Sequence, residues 1–97
     1  MYARVTTVQV QPGKIDDGIQ IFRDAVLPAA QQQPGFKGVL QLVDRSNNKS
    51  IGITLWETED DMKAGEASGY YQQQIAKVAP LLAAQPVRET YEVSMRE

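Results

Sequence analysis

The chain of 97 residues has no cysteine and no histidine. Without cysteine it can form no disulfide, no thiolate metal site and no thiol nucleophile. Without histidine it lacks the commonest general base near neutral pH and the commonest protein ligand of zinc and haem iron. Neither charge dominates: ten Lys and Arg against twelve Asp and Glu leave a formal net charge of -2, which argues against a nucleic-acid partner. No apolar stretch approaches the roughly 20 residues of a membrane-spanning helix. The opening Met1-Tyr2-Ala3-Arg4 runs directly into strand-like sequence, with no charged lead and apolar stretch behind it. A cytoplasmic protein with one domain over residues 1–97 is therefore expected.

The residues that are present punctuate themselves clearly. Ala3 to Gln11 is rich in Val and Thr and is broken by Pro12-Gly13, which predicts a first strand ending in a turn. Ile15, Ile19, Phe22, Val26 and Ala29 or Ala30 then recur at helical spacing, with Asp16, Asp17, Gln20, Arg23 and Asp24 between them. Pro28 falls near the end of this helix and predicts a kink or a tightened last turn. Two apolar runs, Phe36 to Val43 and Ile51 to Trp56, predict the second and third strands. The polar segment Asp44 to Ser50 joins them as a hairpin connection. Thr58 ahead of Asp61 has the T-x-x-D form of a helix start. The helical region that follows is expected to break at Gly65 and at Ser68-Gly69, and then to bury Tyr71, Ile75, Val78 and Leu82 with Gln72, Gln73, Gln74 and Lys77 outside. Val87 to Met95 alternates strictly and predicts a fourth strand with one wetter side.

Strand, helix, strand, strand, helix, strand is the order of an α+β, ferredoxin-like βαββαβ sandwich: a four-stranded antiparallel sheet with two helices on one face. The two central runs do not alternate as a half-wet sheet should. Val39 and Val43 lie on the face opposite Leu40 and Leu42, and Trp56 lies opposite Ile51, Ile53 and Leu55, so both sheet faces need covering. Leaving about five such side chains in water would forfeit roughly 7–15 kcal/mol, comparable with the whole stability of a typical domain. A second copy of the chain is the natural cover, so a homodimer through the sheet face is expected.

Several chemistries can be weighed directly. Gln11-Pro12-Gly13-Lys14 is too short for a phosphate loop, and Ile51-Gly52-Ile53-Thr54-Leu55-Trp56 lacks the aromatic and basic pattern of an RNA-binding strand. The carboxylates Glu57, Glu59, Asp60 and Asp61 sit where a helix start favours negative charge, so no metal is expected. Trp56, the only tryptophan, ends the third strand. It could wall a pocket with Phe22, Tyr70 and Tyr71, or pack as core. An isomerase or lyase would need a carboxylate base such as Glu57 with its pKa raised by burial.

Pro34-Gly35-Phe36-Lys37-Gly38, Ile53-Thr54-Leu55-Trp56-Glu57 and the acidic helix after them resemble the antibiotic biosynthesis monooxygenase family over nearly the whole chain. The resemblance implies a dimeric α+β barrel with a cleft in each subunit between sheet and helices. In some members that cleft oxidises aromatic phenols to quinones with molecular oxygen and no metal or flavin. Others degrade haem through a histidine, which this chain does not have. In the oxidising members a tryptophan at the third-strand end works with an asparagine four residues earlier and a tyrosine soon after. Trp56 matches the first, but Gly52 and Met62 stand at the other two places, and Asn47, Asn48, Tyr70 or Tyr71 could substitute only from within the cleft. The expectation is a cofactor-independent monooxygenase for a small aromatic or quinol-like ligand, with Trp56, Thr54 and Tyr71 catalytic and Phe22, Trp56, Tyr70 and Tyr71 lining the pocket. The alternative is a non-catalytic dimer of the same fold that binds a small ligand or serves in assembly.

Overall fold

The computed structural model describes residues 1–97, and its breaks fall at the turn residues. The elements are β1 (Tyr2–Gln9), a long helix α1 (residues 15–31), β2 (Phe36–Asp44), β3 (Lys49–Trp56), α2 (Glu59–Ala67), α3 (Tyr70–Val78) and β4 (Val87–Glu92). The strands form one antiparallel sheet in the order β2-β3-β1-β4. This is the expected ferredoxin-like arrangement, with the second helix in two pieces. No helix is long and apolar enough to cross a membrane.

Register assigns every sheet residue to a face. Arg4 lies opposite Thr54 and Thr90, and Thr6 opposite Gly52 and Arg88. These residues, with Ser50 and Trp56, point toward the helices. Val5 and Leu40 flank Ile53, and Leu42 lies opposite Ile51, on the other face. That outer face is the oilier one. On it Leu40 is 56% exposed, Leu42 48%, Val87 56% and Tyr91 51%. The main buried cluster sits at one end of the inner face, where Ala30, Trp56, Met62 and Tyr70 pack with Tyr2, Ala29 and Phe36 against them, and Val10, Ile15 and Val26 are buried apart from it. The rings of Phe36 and Tyr70 meet Trp56 edge-on, at 5.9 and 6.5 Å between centroids, a favoured aromatic geometry.

Local departures from expectation have local causes. Pro28 cannot donate to the carbonyl four residues back. The turn just before it, Phe22–Val26, is π-helical rather than kinked or tightened, and α-helix resumes over Leu27–Gln31. Gly65 does not break α2. A Cβ there would lie 3.2 Å from Cδ2 of Tyr70, so the missing side chain makes room for that ring. The break comes at Gly69, whose φ of +88° is open to glycine. α3 stops at Val78 rather than continuing to Leu82, because Pro80 leads into a 3₁₀ turn over Ala79–Leu81. The first and last strands are shorter than the sequence suggests, β1 closing at Gln9 and β4 at Glu92.

The start of α2 is capped as its sequence requires, the Asp61 N–H donating to Thr58 Oγ1 at 3.0 Å. Replacing Thr58 with Ala removes that partner from an N–H with no intrahelical acceptor and is expected to cost about 1 kcal/mol. Thr58→Ser should cost far less. Urea denaturation of the two variants provides the comparison, and equal midpoints would contradict the capping role.

Candidate functional site

Beneath the helices, the middle of the sheet is built from side chains too short to fill the space above them: Thr6 on β1, and Ser50, Gly52 and Thr54 on β3. They floor a cavity of about 100 Å³. Phe22 of α1 and Tyr70, Tyr71, Gln74 and Ile75 of α3 line it from above. Gln74, placed outside by the helical pattern, is buried. Its Nε2 donates to the Tyr70 carbonyl, and its Oε1 accepts from Lys77 Nζ at 2.8 Å. The inward stripe of α3 is thus turned by one residue, and Tyr70 and Gln74 lie deeper than Tyr71 and Ile75.

Arg4 is the charged member of the lining and is only 3% exposed. Its guanidinium lies 4.5 Å from the ring centre of Tyr71 and 5.3 Å from that of Trp56. Nη1 donates to the Met62 carbonyl at 3.2 Å and to Glu66 Oε2 at 3.3 Å. Burial pulls the guanidinium below its ordinary pKa, and Glu66 opposes that shift. Two aromatic faces, a carbonyl and a carboxylate together replace the water this cation has lost. Arg88 of β4 approaches the other oxygen of Glu66 at 3.5 Å and lies 5.3 Å over the Tyr71 ring. Two cations therefore share one carboxylate, and the trio carries a net positive charge beside Tyr71.

The hydroxyls around the cavity are arranged by their neighbours. Tyr71 Oη and Thr6 Oγ1 are 2.9 Å apart, and either can donate. Trp56 Nε1 donates to Thr54 Oγ1 at 2.9 Å, which leaves the Thr54 hydroxyl hydrogen free to serve another acceptor. Tyr70 forms its hydrogen bonds through the main chain, with Ser68 and Gln74. Burial raises the pKa of its phenol and the Arg4 charge partly offsets this, so Tyr70 is a neutral donor at physiological pH.

Of the residues singled out from the sequence, Thr54, Phe22, Tyr70 and Tyr71 line the cavity. Trp56 is 0% exposed and stands behind Thr54 in the core cluster. Its contact with the cavity is indirect, through the Thr54 hydroxyl. Asn47 and Asn48 lie in the β2–β3 turn, where Asn47 Nδ2 donates to Asp44 Oδ2 at 2.7 Å, and neither enters the cavity. Glu57 is exposed and paired with Lys37 at 2.9 Å. Its pKa is lowered, first by that hydrogen bond and then by the Lys37 charge, so it is the reverse of the buried base that an isomerase or lyase would need. The residues that sequence reasoning missed are Arg4, Thr6, Glu66 and Arg88. The available signal was Arg4 itself, a charge in the inward register of a strand.

This topology, with a space between sheet and helices floored by small polar residues, defines a class, the ferredoxin-like α+β sandwich. The model of the antibiotic biosynthesis monooxygenase family matches residues 1–77, and the chain belongs to that family. Among curated proteins it is similar to two uncharacterised proteins of Mycobacterium tuberculosis. Rv2558 is 40% identical across 84% of this chain and 30% of its own length, and Rv2557 is 36% identical across 97% of this chain and 41% of its own length. The chain thus spans less than half of these relatives. Among solved structures it resembles SnoaB, a cofactor-independent oxygenase from Streptomyces nogalater, with TM-score 0.79 and 16% identity over 98% of this chain and 94% of that one. It also resembles the ActVA-Orf6 monooxygenase of Streptomyces coelicolor, solved with nanaomycin D, with TM-score 0.80 and 15% identity over 99% and 89%. At such identities the likeness is one of fold.

Removing the Glu66 charge tests the electrostatic frame. Glu66→Gln leaves a nearly buried guanidinium without its carboxylate and is expected to lower unfolding stability by about 3 kcal/mol. Glu59→Gln, which breaks an exposed pair with Lys63 at 3.6 Å, should cost under about 1 kcal/mol. Denaturant titration measures both, and equal losses would contradict the role given to Glu66.

Proposed function

We propose that this domain is a cofactor-independent monooxygenase of the antibiotic biosynthesis type, acting on a small aromatic or quinol-like substrate. The observation that carries the reading is a largely apolar cavity with the hydroxyls of Thr6, Ser50, Thr54 and Tyr71 among its lining residues, beside two arginines that share a single carboxylate. A phenol bound there meets hydroxyl donors at Thr54 and Tyr71 and lies close to a net positive charge, both of which favour the phenolate. The substrate carries its own reducing power, so the protein desolvates it, orients it and stabilises the anion. Overall, a phenol with a free para C–H reacts with O2 to give a para-quinone and water. One oxygen atom forms the new C=O, and the other leaves as water with the phenolic and para hydrogens. The ring supplies the four electrons.

In this account Thr54 and Tyr71 touch the substrate as catalytic residues, and Tyr70 and Phe22 shape its pocket. Trp56 is a positioning residue that fixes the Thr54 hydroxyl. The working unit is a homodimer in which each outer sheet face covers the other, closing an α+β barrel. Leu40, Leu42, Val87 and Tyr91 on that face support the pairing, since exposed apolar patches of this kind mark association surfaces. A second reading, a non-catalytic dimer that binds a small aromatic ligand, is favoured by one observation. The single tryptophan is sealed in the core, and its N–H is already used within the chain.

Oxygen uptake with a panel of phenols that have a free para C–H separates the two readings. Wild type should consume oxygen and release quinone. Thr54→Val should lower kcat about 100-fold, the usual cost of one preorganised donor. Trp56→Phe should lower kcat roughly tenfold, about 1.4 kcal/mol, with KM little changed, because it frees a donor without removing it. No uptake above buffer with any member of the panel, together with retained binding, would leave the binding role in place of the enzyme.

A further inference from the structure

Phe22 belongs to the π-helical turn of α1, a feature that often marks functional sites, and its ring comes down onto the sheet at Gly52. A Cβ on residue 52 would stand 3.2 Å from Cε2 of Phe22 and 3.7 Å from Cζ. Glycine at that point is what lets the ring descend. The neighbours of Gly52 across the sheet, Thr6 and Gln41, line the cavity. So do Ser50 and Thr54, two residues to either side along β3. Ser50 and Thr54 are roughly 13 Å apart at the rise of an extended strand. Phe22 therefore sits over the middle of a long floor and takes up the space that would join its two halves. What remains is about 100 Å³, whereas an apolar cavity of about 150 Å³ accepts benzene. One ring can be seated here with small adjustments, and a rigid set of fused rings cannot.

From this geometry we infer that Phe22, seated on Gly52, sets the ligand class of the site as single-ring phenols and hydroquinones and excludes fused tricyclic ones. The inference rests on the cavity being the ligand site, as proposed above, and adds the size limit and the residue pair that imposes it. Gly52 and Phe22 act together: a methyl group at 52 pushes the ring up into the remaining space, and removing the ring makes the methyl group harmless.

The test is a binding titration by calorimetry or ligand-observed NMR with hydroquinone, 1-naphthol and anthrone under anaerobic conditions. It uses wild type, Phe22→Ala, Gly52→Ala and the double variant, with thermal melting run on each. Phe22→Leu serves as the smaller change if the alanine variant unfolds. Wild type should bind hydroquinone at least tenfold more tightly than anthrone. Phe22→Ala or Phe22→Leu should reverse or erase that ratio by gaining affinity for anthrone. Gly52→Ala should weaken hydroquinone binding at least fivefold in wild type and leave it unchanged in the Phe22→Ala background. Equal binding of anthrone and hydroquinone to wild type overturns the size limit while leaving the cavity as a ligand site. An unchanged ratio in a folded Phe22 variant overturns the role of Phe22. No binding of any ring system to any folded variant overturns the ligand site itself, and the inference with it.

Discussion

The arrangement rests on the way the sheet divides its side chains. The middle of the inner face, which the helices cover, receives Arg4, Thr6, Ser50, Gly52 and Thr54 between the apolar Tyr2, Trp56 and Val8, while the outer face receives Val5, Leu40, Leu42, Ile51, Ile53 and Leu55. A lone sandwich of this kind would be expected to do the reverse, since burying apolar surface is the chief favourable term in folding. Two consequences follow from the inversion. The space under the helices is left hollow, with small polar side chains on its floor and mostly apolar ones around them, and the apolar outer face is left for something other than the chain's own helices to cover.

A polar interior is stable only if its groups are satisfied, and here they are. No buried side-chain nitrogen or oxygen lacks a partner. Arg4 carries most of this, because it ties the central strand to α2 through Met62 and Glu66 and presents its planar faces to Trp56 and Tyr71. The guanidinium thereby links the dense aromatic core at one end of the sheet to the cavity beside it. The same charge that holds the two layers together is available to favour an anion in the cavity, so stability and the proposed chemistry draw on one residue.

Much of this was legible in the sequence. The apolar runs on either side of Asp44 to Ser50, the turn at Pro12-Gly13, the Thr58 cap and the alternation from Val87 onward led to the right topology and to apolar side chains on both sheet faces. Periodicity failed where polar residues face inward. It cannot tell a glutamine that lines a cavity from one in water, so Gln74 was placed on the wrong side of α3. It cannot anticipate that Arg4 is buried either, because that depends on Glu66, 62 positions away. The position of Trp56 behind Thr54 was equally hidden. A strand end predicts which face a side chain takes, but not whether a neighbouring ring such as Tyr70 seals it from the cavity.

The apolar outer face is the basis of the proposed dimer, in which a second copy of the chain covers it. Sedimentation velocity at micromolar concentration measures this most directly, with wild type run beside Ile53→Glu, a charge placed at the centre of that face. The account predicts a dimer for wild type and a folded monomer for the variant. A wild-type chain that sediments as a stable monomer, with Leu40, Ile53 and Val87 facing water, would contradict it.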